Sequence, residues 1–203
     1  MQIRLPFLLL GALGLLAPAL RATSVVPPTF PELVNEADAI YRGRVSSVEA
    51  RRVDRANGSG TVIKTFVTFA VDKVLKGPPQ REVVLEFLGG KVGDESLVVS
   101  GMPKFTPGAE EFVFVQKNGV QFCPLVAVMH GRYKVLRDQA TARDFVARDN
   151  GAPLSDVAEV ELPMNELPAP VRAAAAARPL TPAAFESSIA SEVQRPTVRA
   201  RPN

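Results

Sequence analysis

Thr61 to Leu75 reads TVIKTFVTFAVDKVL, and its alternation decides the fold. Ile63, Thr65, Val67, Phe69 and Val71 project to one side of an extended chain, and Lys64, Phe66, Thr68, Ala70 and Asp72 to the other. Successive side chains of a strand point to opposite faces, so this is one long strand with a more apolar side. Its length suits a coiled or barrel-forming sheet. The turn Lys76-Gly77-Pro78-Pro79 stops it, and Val83, Leu85 and Phe87 alternate with Glu82, Val84 and Glu86 in the strand that returns.

Downstream, Glu111 to Gln116 and Gln121 to Val128 flank Lys117-Asn118-Gly119-Val120. Asn-Gly between two apolar runs predicts a hairpin. A last strand is expected over Arg132 to Leu136. Gly89 to Gly108 is an insertion punctuated by glycine and proline, with Leu97-Val98-Val99 as a short extra strand inside it. Upstream, Thr29 is a suitable N-cap for a short helix through Pro31 to Asp38, with Leu33, Val34 and Ala37 as its apolar stripe. The pattern is mainly β: five or six strands in roughly 100 residues without helical crossovers point to a small antiparallel barrel or sandwich. Val67, Phe69, Val71, Leu85 and Phe114 are expected to share its core.

Past Asp138 the composition shifts. Proline recurs from Pro153 to Pro182 and Ala173 to Ala177 is pure alanine, which reads as a linker over 139–180. Thr181-Pro182 opens a C-terminal amphipathic helix over 181–194, with Phe185, Ile189 and Val193 on one stripe and Glu186 and Glu192 opposite. That stripe can dock on the domain's own core or on a partner. Residues 195–203 are a tail.

The beginning of the chain carries an address. A cationic start, an apolar run from Leu5 to Leu16 and small residues at Ala17-Pro18-Ala19 and Leu20-Arg21-Ala22 make 1–22 a secretory signal peptide. The run falls short of the roughly 20 apolar residues a membrane span needs, so no stable membrane anchor is expected after cleavage. Cleavage removes Arg4 and Arg21 from the 24 basic residues, leaving 22 against 21 acidic ones. A near-neutral exported chain offers no broad basic field for nucleic acid. The expected location is periplasmic or secreted.

The residues that could carry chemistry are few. Cys123 and His130 are the one cysteine and the one histidine, so there is no internal disulfide. In an extended segment they would lie roughly 23 Å apart on opposite faces, which is no thiol dyad. Cys123 reads as a small buried hydrophobe. No zinc-ligand spacing, phosphate loop or Gly-x-Ser-x-Gly elbow occurs. Asp94-Glu95 and Glu110-Glu111 read as solvated acidic pairs. No catalytic residue, cofactor or metal site is expected, and the chain reads as a non-enzymatic protein.

Asn35-Glu36-Ala37-Asp38-Ala39-Ile40-Tyr41-Arg42-Gly43-Arg44-Val45, then Asp72-Lys73-Val74-Leu75-Lys76-Gly77-Pro78, then Val83 to Phe87, resembles the OB-fold domain of tissue inhibitors of metalloproteinases and netrin-type modules. The Lys-Gly and Gly-Met-Pro-x-Phe stretches are also similar to exported bacterial proteins of unknown function. The resemblance covers about 33–136 and implies an OB-like β-barrel domain over 23–138. It also implies a contact surface made by the mature N-terminus, Thr23, Ser24, Val25 and Val26, with the loop of Met102, Pro103 and Phe105. Those inhibitors chelate zinc through an N-terminal cysteine, which this chain lacks. The expectation is an interaction domain that binds an exported protein such as a protease. The alternatives are a metalloprotease inhibitor or protease-associated protein and, against the residue inventory, a hydrolase. The oligomeric state is left open.

Overall fold

The computed structural model describes residues 26–55, 58–163 and 167–195. Residues 1–22, read from the sequence as a signal peptide, Thr23, Ser24, Val25 and nearly all of the tail lie outside them. Among the described residues the chain is mainly β, with eight strands and three α-helices.

Helix α1, Phe30–Glu36, begins at Thr29, whose hydroxyl accepts from Glu32 N while the Glu32 carboxylate accepts from Thr29 N at 2.8 Å. This reciprocal cap satisfies two otherwise orphaned donors. Strands β1, Ala39–Asp54, and β2, Thr61–Lys76, pair along their whole length, with three register shifts in β1. Such shifts bend a strand and increase its twist, so the long ribbon curls. β3 is Glu82–Leu88, and β4, Gly90–Val92, with β5, Glu95–Leu97, makes a separate small hairpin. β6, Glu110–Val115, β7, Arg132–Arg137, and β8, Asp144–Arg148, complete one antiparallel sheet in the order β3-β2-β1-β6-β7-β8. Its end strands, β3 and β8, do not pair with each other.

The sheet has a core on each side. On one, Val67, Phe69, Leu85, Phe87, Val113 and Val115 pack with Tyr41, Cys123 and Leu125. On the other, Ile40, Phe112, Phe114, Tyr133 and Val146 meet α1 and the C-terminal helix. Val67, Phe69 and Leu85 therefore share a core as expected, with Val71 at its margin, while Phe114 belongs to the opposite face. β6 is buried on both faces, and its alternation sends Phe112 and Phe114 one way and Val113 and Val115 the other.

Two further expectations change. The chain after the Asn118-Gly119 turn touches β6 through one bridge, Val115 to Leu125, and β7 takes the neighbouring place instead. Pro124 lacks an amide for a ladder, and Asn118 spends its side chain on β3, accepting from Glu86 N at 3.0 Å and donating to Val84 O at 2.8 Å. The stretch read as a linker carries β8, a 3-10 turn over Val157–Glu161 and helix α2, Ala169–Ala177. Leu154 and Leu180 cover the outer edge of β8: Val146 N donates to Leu180 O at 2.8 Å, and Leu154 N to Val146 O at 3.0 Å. The alanine run that looked featureless is a strong helix former, and Ala175 is buried.

Helix α3, Pro182–Val193, docks on the domain's own core through Phe185 and Ile189, both fully buried. Glu186, expected to face water, is also buried. It accepts from Arg42 Nη1 at 2.7 Å and from Lys73 Nζ at 2.5 Å, tying the helix to β1 and β2.

Candidate functional site

The Met102–Phe105 loop is held inward rather than displayed. Pro103 is buried, Met102 and Phe105 are half-buried. The Phe105 ring meets Phe69 edge-on at 5.7 Å and Phe87 at 5.0 Å, and the Arg132 guanidinium lies over the ring, 4.2 Å from its centroid. Aromatic and cation–π contacts of this kind fix a loop in one place. Of the N-terminal contact residues, Val26 is described and exposed, while Thr23, Ser24 and Val25 fall outside the described residues. The structure thus does not show the N-terminus and the loop brought together.

What the loop does form is one wall of an open groove of about 490 Å³. Val67, Phe87 and Phe105 make the floor, and Leu88, Leu97, Val98, Val99 and Met102 line the sides. The β4–β5 hairpin is seated there by two glycines. Gly89 and Gly90 have φ of 102° and 137°, and a Cβ on Gly90 would stand 2.6 Å from Thr65 Oγ1 and 2.9 Å from Ala50 Cβ. Only a residue without a side chain lets the hairpin lie this close to β1 and β2. An Arg52–Glu95 ion pair at 2.8 Å ties the hairpin to β1 from outside. Val98 is 83% exposed, the largest value among the exposed large apolar side chains described.

Lys91 and Lys104 are the charged residues lining this groove, and both are exposed. Lys104 belongs to the Gly101 to Phe105 loop expected from the resemblance, whereas Lys91 did not stand out in the sequence and Val98 did so only within the Leu97-Val98-Val99 run. A strand-like apolar triplet inside a glycine-rich insertion is the signal that could have found the lip.

A second, polar cleft of about 540 Å³ lies on the other side of the same loop, lined by Arg44, Lys104, Glu110, Glu111, Arg132 and Lys134 among others. Its charges are mostly spent on one another. Glu111, expected to be solvated, is fully buried and paired with Arg132, and Glu110 takes Arg42 and Arg44. Arg137 pairs with Asp144 at 3.1 Å.

Cys123 and His130 are both buried. Cys123 is buried in the core beside Leu125, and burial pushes its thiol up to about 11, so it is protonated at neutral pH and a poor nucleophile. His130 sits in the turn before β7, where burial and the Arg148 charge push its pKa down. Among the described residues no group of three or more His, Cys, Asp or Glu side chains is arranged to hold a metal ion. No helix among them is long and apolar enough to cross a membrane.

No family model matches this chain, and no curated protein matches it.

Proposed function

We propose that this chain is an exported, non-enzymatic interaction domain on an OB-like barrel, and that it binds a protein partner, such as an exported protease, through the face built by Gly89 to Phe105. The observation that carries the reading is the groove itself: an apolar floor left open beneath the exposed Val98 lip. Val98 stands over the apolar lining of the groove, so exposed side chain and groove make one contiguous apolar patch, and such patches mark interaction sites.

The barrel reading draws support from the curled β1–β2 ribbon and from the loop over 116–124. That loop reaches from β6 to the free edge of β3, where Leu88 N donates to Phe122 O at 2.8 Å and Asn118 bonds Val84 and Glu86. Export rests on the signal-like residues 1–22.

A photo-crosslinking amino acid in place of Val98, with Ser187 on the exposed side of α3 as control, tests the reading in the producing cell. Adducts to one protein from Val98 and not from Ser187 are the expected result. Adducts from Ser187 alone, or from neither position, would remove the groove as the contact face.

A further inference from the structure

We infer that the partner segment seated in this groove is an extended, acidic peptide with a large apolar side chain between its carboxylates. The inference rests on the groove being the partner face and specifies what chemistry that face selects.

Three properties of the groove converge. Its floor is continuous apolar surface, and about 490 Å³ lies within the size range of sites that bury a small ligand, so it has room for a large side chain. The charges at its rim have one sign: Lys91 and Lys104 line it, no carboxylate does, and neither lysine is ion-paired to a described residue. In the adjoining cleft Arg44 and Arg137 are paired with Glu110 and Asp144, so the cationic rim of the groove is that of Lys91 and Lys104. The third property is backbone. Among the described residues, the backbone–backbone bonding from Val98 to Phe105 comes down to Met102 N donating to Val99 O at 3.4 Å.

That last property discriminates between occupants. An acyl chain would cover the apolar floor but offer nothing to the peptide groups of the Val98–Phe105 wall. An extended peptide supplies donors and acceptors to the peptide groups of this loop, Pro103 N excepted, while a side chain enters the pocket. The two lysines then select carboxylates on either side of the anchor, and like charge there would repel.

The test uses fluorescence anisotropy at low salt with two synthetic heptapeptides sharing a central Val-Phe-Val, one flanked by glutamates and one by lysines, and dodecanoate as a competitor. The acidic peptide is expected to bind at least about tenfold more tightly than the basic one, consistent with steering and selection by rim charge. Lys91→Glu combined with Lys104→Glu should abolish or invert that preference with an unchanged Tm, since both side chains are exposed. Equal binding of the two peptides, a preference for the basic one, no binding of either, or binding of dodecanoate without the acidic peptide would each overturn the inference. In those cases the Val98 crosslink decides separately whether the groove is still the partner face.

Discussion

Arg132 and Glu111 form a buried, two-pronged ion pair between neighbouring strands: Arg132 Nε donates to Glu111 Oε2 at 2.7 Å and Nη2 to Oε1 at 2.5 Å. Their side chains are 2% and 0% exposed. Arg132 Nη1 reaches Asp149 at 2.6 Å, and the guanidinium stacks on Phe105. One cation thereby ties β6, β7, the segment after β8 and the loop that walls the groove.

Breaking this pair from one side should be costly. Glu111→Ala leaves a buried guanidinium with a single carboxylate and is expected to lose about 3–5 kcal/mol of stability, because the remaining charge stays desolvated. Replacing both residues, Glu111→Leu with Arg132→Met, should cost much less, since both desolvation penalties disappear together. Urea midpoints of the three proteins make the comparison, and a double variant as damaged as the single one would show that the pair itself holds the strands.

Phe69 is fully buried in the core that supports the groove. Phe69→Ala should cost on the order of 3–5 kcal/mol, as for truncation of a buried aromatic. Phe105→Ala, starting from a half-buried ring, should cost less. A loss below about 0.5 kcal/mol at Phe69 would place this strand face at the surface.

The long strand from Thr61, the capped helix at Thr29 and the apolar stripe Phe185–Ile189 were legible because each rests on local periodicity or a single cap. The two-sided burial of β6 was not, because alternation shows that two faces differ and says nothing when both are apolar. β8 was lost beneath the proline and alanine around it: Phe145-Val146-Ala147 is too short to show a period, and its edge is covered by Leu154 and Leu180, contacts made at a distance in sequence. The acidic residues were misread for a related reason. Glu111 and Glu186 look solvated until Arg132, Arg42 and Lys73 arrive from other strands. The groove needed the same tertiary placement, since Gly89 and Gly90 reveal a turn in sequence but their close packing on Thr65 and Ala50 only in space.

Acid should weaken the fold in two stages. His130 titrates below its ordinary 6.5 because burial, and then the Arg148 charge, disfavours the imidazolium. A depressed folded pKa contributes stability above the unfolded value and loses it as pH falls through the folded one. Glu186 follows the same sign. Burial raises its pKa, but hydrogen bonds and charge from Lys73 and Arg42 outweigh this and hold it below its ordinary 4.5. The unfolding midpoint should therefore decline first below pH 6.5 and again below pH 4.5. His130→Ala should flatten the first stage and Glu186→Gln the second, read from urea midpoints across roughly pH 2.5 to 8.5, about two units beyond the ordinary values at either end. An unchanged pH profile in both variants would assign the acid sensitivity elsewhere.

Phe185 stands at the centre of an aromatic cluster, 5.1 Å from Phe112, 5.2 Å from Tyr133, 6.1 Å from Phe30 and 6.2 Å from Phe114. These rings come from α1, β6 and β7, so the C-terminal helix, together with α1, covers the second face of the sheet. A chain ended after Leu180 keeps the backbone bonds that cover the edge of β8 but exposes this face. Edge pairing alone cannot replace the lost burial, because an exposed aromatic face contributes little of the roughly 25 cal/mol per Å² that holds a core together. The truncated chain is therefore expected to lose cooperative thermal unfolding and to bind a hydrophobic dye while retaining far-UV circular dichroism, the behaviour of a loosened core. Phe185→Ala in the full chain should fall between, losing about 3–5 kcal/mol but staying cooperative. If the truncated chain instead unfolds cooperatively at the full chain's Tm, the helix contributes nothing to the domain's own stability, and its apolar stripe would be free to serve a partner.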